Sequence, residues 1–206
     1  MSKINQSPRL STLHSWARRA KQFAVVLMLS ALSHDALAAA DGGGLRSLVP
    51  AGVFTQAGFG ESSTDAYVVG AIWDWRWHHD YSFGRVTGYF DASFGRWSTN
   101  ADGIKGSAWA TQVGVTPVLR LQPASWAPAW FVEVGVGANF ILPIYRNDEK
   151  RFSTEFNFGD HAGVGYQFGK ARHQELMMRV QHFSNGGIKH PNPGENFLQV
   201  RYSYRY

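Results

Sequence analysis

Over the last ten residues, Leu198, Val200, Tyr202, Tyr204 and Tyr206 alternate with Gln199, Arg201, Ser203 and Arg205. Successive side chains of a strand point to opposite faces, so this stretch predicts a strand with one greasy and one wet side. The same two-residue period recurs upstream. Trp130, Val132, Val134, Val136, Ala138 and Phe140 oppose Glu133, Gly135, Gly137 and Asn139, while Val86, Gly88, Phe90, Ala92 and Phe94 oppose Arg85, Thr87, Tyr89, Asp91 and Ser93. Tyr67 to Trp75, Trp109 to Val115, Phe156 to Phe168 and Leu176 to Val180 continue the series, and Val53 to Phe59 supplies a weaker first strand. Turn-rich pieces separate these eight segments, among them Asn100 to Gly103, Pro123 to Pro128, Arg146 to Arg151 and Gly186 to Gly194.

An even number of strands, each near ten residues by the pattern, with no long helix, predicts an all-β fold: an eight-stranded antiparallel outer-membrane β-barrel. Soluble sandwiches alternate too. Here, however, the wet faces mix acids with bases (Asp91, Glu133, Glu175, Arg179, Arg201, Arg205), as a lumen filled by paired side chains requires. Trp73, Trp75 and Trp77, with Tyr202, Tyr204 and Tyr206, cluster at strand ends where an aromatic girdle meets the membrane interface. Eight strands enclose only enough space for side chains, so a filled interior rather than a pore is expected. With an even strand number both termini lie in the periplasm, and the seventh strand ends at the outer rim.

The beginning of the chain departs from this pattern. Lys3, Arg9, Arg18, Arg19 and Lys21 precede a ten-residue apolar run from Phe23 to Leu32 and then Ala36-Leu37-Ala38. A basic head, a short apolar run and an A-x-A site form a secretory signal peptide, so residues 1–40 are expected to be removed and 41–206 to form the barrel. Ten residues span only about 15 Å as a helix, half of a bilayer core. The leader also accounts for the charge. The whole chain has 20 bases and 15 acids, net +5, of which five bases and one acid sit in the leader. What remains is nearly neutral, which with export excludes nucleic acid as a partner. There is no cysteine, hence no disulfide, thiol nucleophile or thiolate metal site. No HExxH-like spacing suggests a metal, and no cofactor is implied.

One row breaks its own rule. Continuing Leu176, Met178 and Val180 by two gives His182 and then Ser184, two polar groups on a face otherwise turned to lipid. Polar groups facing hydrocarbon are costly, so their presence asks for a use. An imidazole two residues from a serine on one face can serve as its general base. A base of this kind needs a third group to fix its tautomer, and Glu195, the carboxylate that closes the following loop, is the candidate. Asp160 interrupts a second lipid-facing row, as a bulge or a rim residue.

The segment from His182 to Phe197, HFSNGGIKHPNPGENF, resembles the C-terminal signature of the lipid A 3-O-deacylase family of outer-membrane enzymes. The resemblance implies an eight-stranded barrel that hydrolyses the ester-linked 3-hydroxyacyl chain of lipid A through Ser184 as nucleophile, His182 as base and Glu195 as orienting acid. By this resemblance the loop from Ser184 to the glutamate is one residue shorter than in the best-known member of the family. By the same resemblance Asn192 stabilises the oxyanion, with Asn185 and the Gly187 amide near enough in sequence to assist. Acyl chains would lie along Val180 and Met178, and Lys189 would meet the phosphates of lipopolysaccharide, the expected substrate and partner. Outer-membrane lipids surround the barrel, and a homodimer is a candidate assembly. Two other functions fit the strand pattern: an outer-membrane phospholipase or acyltransferase using the same groups, and a structural small barrel with no nucleophile.

Overall fold

The computed structural model describes residues 48–100 and 107–206. The expected leader, 1–40, lies outside them. Eight strands follow in chain order: β1 (Gly52–Gly60), β2 (Asp65–Tyr81), β3 (Gly84–Asn100), β4 (Ser107–Pro123), β5 (Trp130–Leu142), β6 (Phe156–Phe168), β7 (Gln174–Ser184) and β8 (Glu195–Arg205). Each pairs antiparallel with its neighbours, and β1 pairs with β8, so the sheet closes with no free edge. Closure supplies every strand with a partner on both sides, the condition for a sheet to stand in hydrocarbon. The rim carrying the β1–β2, β3–β4, β5–β6 and β7–β8 connections is here the upper rim, and the one carrying the C-terminus is the lower.

The outer surface is the greasy face. Phe59, Tyr67, Val69, Phe94, Met178 and Val180 are all more than half exposed along the staves. Trp126, Trp130, Tyr166, Tyr204 and Tyr206 stand exposed toward the lower rim, which puts the aromatic girdle where the pattern expects it. The strands are longer than the alternation alone suggests: β2, β3 and β4 have 17 residues each. Pairing of β2 with β3 survives a register shift between Asp74 and His78 and carries the ribbon past the apolar belt.

The interior is filled, in two chemically different storeys. Below lies the charged one. Arg120 donates to Glu133 at 2.6 Å and grips both oxygens of Glu175 at 2.6 and 2.8 Å, and Arg201 donates to Asp91 at 2.8 Å. Forked guanidinium–carboxylate bonds of this kind are the arrangement that makes buried charge tolerable. Above lies an aromatic plug. Trp97, fully buried, meets Tyr145, Phe183 and Phe197 edge-on at centroid distances of 5.2, 4.9 and 4.8 Å. The lumen expected to be filled by paired polar side chains thus carries an aromatic layer as well. Phe183 and Phe197 sit on wet faces by alternation, and they are accommodated because they pack on one another. His161 is also interior, where it lies against Gly135 with neither ring nitrogen hydrogen-bonded.

Candidate active site

β7 alternates strictly, with Glu175, Met177, Arg179, Gln181 and Phe183 buried, and Leu176, Met178 and Val180 exposed. His182 continues the exposed row, partly covered, and Ser184 closes it at the upper rim with only 6% of its surface accessible. The covering comes from its neighbourhood. Ser184 is register partner to Phe158 on β6, and Gly186 folds over that ring so closely that an added Cβ would lie 3.2 Å from it. The two polar residues therefore share one face, with the imidazole toward the apolar belt and the hydroxyl sheltered under the loop.

Register decides what stands beside the imidazole. His182 is opposite Asp160 on β6 and Asn196 on β8, so three adjacent strands place a polar side chain at one level of the outer surface. Asp160 sits in unshifted pairing with both neighbours, so it marks no bulge. His182 Nδ1 lies 2.6 Å from Asn196 Oδ1, and Asn196 Nδ2 donates to Glu61 Oε2 at 3.0 Å. A carboxylate only accepts, so the Asn196 NH2 must face Glu61 and its carbonyl must face the ring. That requires the ring proton on Nδ1 and leaves the Nε2 lone pair free to take a proton. Gly194, at φ +71°, backs the ring: a Cβ there would fall 2.5 Å from His182 Cε1.

Glu195 does not orient His182. It is opposite Phe183, on the inner face, wholly buried, where it accepts the Ser62 amide at 3.1 Å and lies 3.2 Å from Lys150 Nζ. The reason is the strand period: Glu195 and Asn196 are consecutive, and a step of one residue is a change of face. Lys150 reaches outward as well, pairing with Glu61. The Asn196 hydrogen bond, and then Lys150, hold the Glu61 carboxyl below the usual carboxylate range. Burial alone would lower the Lys150 ammonium, but the Glu61 hydrogen bond and the Glu195 charge outweigh it and leave it raised.

The β7–β8 loop is built around Asn185. Its Nδ2 donates to Lys189 O at 2.7 Å and Ser153 Oγ at 3.0 Å, its Oδ1 accepts Gly187 N–H at 2.9 Å, and its own N–H donates to Asn192 Oδ1 at 3.0 Å. Asn185 and the Gly187 amide are thus committed to holding the loop, which corrects their expected part as oxyanion donors. Asn192 keeps its Nδ2 after giving its carbonyl to the loop. Lys189 is exposed on the same loop, and Val180 and Met178 lie directly below His182 on the outer row. Among the described residues no cluster of His, Asp and Glu has the arrangement of a metal site.

The sequence model of the lipid A 3-O-deacylase (PagL) family matches residues 65–205, all but the first strand of the barrel. The chain belongs to the PagL family. A PagL lipid A deacylase of Pseudomonas aeruginosa is 30% identical over 176 residues, covering 84% of this chain and 92% of that protein. Its namesake from Bordetella bronchiseptica is 33% identical over 106 residues, 52% of this chain and 56% of the relative. The crystal structure of the outer-membrane enzyme PagL superposes with a TM-score of 0.65 at 28% identity, over 76% of this chain and all of that one. Within this PagL-family barrel, sequence reading missed Asn196, Glu61, Lys150 and Gly194. Asn196 alone left a trace there: it precedes Leu198, Val200 and Tyr202 in the lipid-facing row of β8, as His182 follows the row of β7.

Proposed function

We propose that this protein is a lipid A 3-O-deacylase of the outer membrane, exported behind residues 1–40 and working as a serine esterase. The observation that carries the reading is the His182–Ser184 pair at the upper end of an apolar, outward row. Membership of the PagL family supports the substrate. With the upper rim at the cell surface, the pair stands near the level of the glucosamine-linked esters of outer-leaflet lipopolysaccharide. The substrate is reached sideways, its acyl chains along Val180 and Met178 and its phosphates near Lys189, so nothing has to enter the barrel.

Ser184 Oγ attacks the ester carbonyl at the 3 position while His182 Nε2 takes its proton. The tetrahedral oxyanion is met by the Asn192 side-chain amide, whose carbonyl the loop already holds in place. The acyl C–O bond to the sugar then breaks as the imidazolium protonates the departing sugar oxygen, leaving an acyl-serine, a free 3-hydroxyl and neutral His182. Water, deprotonated by the same nitrogen, releases a 3-hydroxy fatty acid.

Mass spectrometry of lipid A from Gram-negative cells expressing the protein should show loss of one hydroxyacyl group, and Ser184→Ala at equal outer-membrane abundance should show none. Deacylation persisting in Ser184→Ala would overturn the assignment. A purified enzyme that released fatty acid from phospholipid and left lipid A intact would make it a phospholipase instead.

A further inference from the structure

Resting on Ser184 and His182 as nucleophile and base, we propose that the group orienting His182 is the Asn196 amide, locked by Glu61, so that the unit is Ser-His-Asn with its carboxylate one hydrogen bond removed. The Nδ1 contact is 2.6 Å, to Asn196 Oδ1. An amide has a weakness in this task that a carboxylate lacks. Its two ends are nearly the same size, and a half-turn would present NH2 to the ring, demanding the wrong tautomer. Glu61 removes that freedom, because its oxygen at 3.0 Å accepts only from Nδ2.

Glu61 is itself held. Lys150, from the β5–β6 connection, binds its other oxygen and is drawn from the interior by Glu195, at 3.2 Å. The chain His182–Asn196–Glu61–Lys150–Glu195 thus passes from the lipid-facing surface over the upper rim into the barrel. The glutamate that sequence reading placed at the histidine is the inner anchor of that chain. The Glu61 carboxyl is held below the usual carboxylate range by the Asn196 hydrogen bond and by Lys150, so at neutral pH it can lend charge to the imidazolium across the amide. The other charged group at the ring's level is Asp160 on β6, which is left intact in every variant below.

Deacylation of purified lipopolysaccharide in detergent tests this, with heat-modifiable gel mobility reporting that each barrel is folded. Asn196→Leu should lower kcat roughly a hundred-fold, with KM unchanged, because the histidine loses its tautomer control but the substrate surface remains. Glu61→Gln restores the possibility of the half-turn and should lower kcat about tenfold. Asn196→Asp should keep most of the activity, while the acid side of its pH–rate profile moves about one unit to higher pH, because a carboxylate beside the ring favours the protonated form. If folded Asn196→Leu stays within threefold of the parent, or Asn196→Asp leaves the acid limb in place, while Ser184→Ala is inactive, the relay is wrong and the serine assignment stands. Activity in Ser184→Ala would instead sink that assignment.

Discussion

At the scale of single residues, the site depends on which side of a strand each group occupies. His182 and Ser184 are polar positions in an apolar row, and that anomaly is visible without coordinates. Gly194 is the opposite case, a residue with no side chain whose importance comes from what it lets approach. Its left-handed φ and the 2.5 Å approach of a virtual Cβ to the His182 ring make Gly194→Ala a test of ring position. The variant should fold, lose about 1 kcal/mol to backbone strain, and deacylate at a small fraction of the parental kcat because the imidazole is pushed from Asn196. Parental kcat in Gly194→Ala would mean that the ring has room the structure does not give it.

At the scale of elements, the upper-rim connections act as one brace. Asn185 ties the β7–β8 loop to Ser153 of the β5–β6 connection, and Lys150 of that connection ties to the β1–β2 loop through Glu61. Replacing Asn185 with Ala removes the side chain from three hydrogen bonds, so hydrogen exchange over 185–194 should quicken while the staves keep their protection. Uniform protection across loop and staves would show that the loop needs no such scaffold. Acid should loosen the same brace. Because the Glu61 carboxyl is depressed in the folded state, its contribution is complete above the ordinary carboxylate range and is lost as pH falls through its lowered value. Protection of the β1–β2 and β5–β6 connections should therefore hold from neutral pH down through the ordinary carboxylate range and fall only below it. Loosening that instead tracked the neutral range would assign it to a histidine.

At the scale of the whole molecule, the barrel is stabilised from within as well as by lipid. Arg120 is shared between Glu133 and Glu175 and stacks 3.9 Å from the Phe131 ring. Arg120→Leu would leave the buried Glu133 with the Tyr89 hydroxyl and Glu175 with Gln167 and Arg205, and should cost about 3–5 kcal/mol in reversible unfolding from lipid bilayers. Trp97→Ala in the aromatic storey should cost a similar amount, about 3–5 kcal/mol, through a cavity instead. The two losses should add, because the storeys share no partner. Strong non-additivity would mean the interior responds as one unit.

What the sequence determined by itself is what depends on local period. Eight alternating segments, an outward greasy face, the exclusion of thiol chemistry and the misplaced polar pair on β7 all follow from counting by twos along one stretch of chain. The family signature added the reaction. The tertiary structure alone decided the matters that depend on register between distant segments: that Asn196 rather than Glu195 lies opposite His182, that Glu61, more than a hundred residues away in sequence, fixes its amide, and that Phe183, Phe197 and Trp97 gather into a plug. Alternation is set by one strand's backbone and can be read in place. Register is set by how closed neighbours slide against each other, and a slip of one residue exchanges the inner face for the outer. Only the paired strands showed that Asn196, and not its neighbour Glu195, stands opposite the histidine.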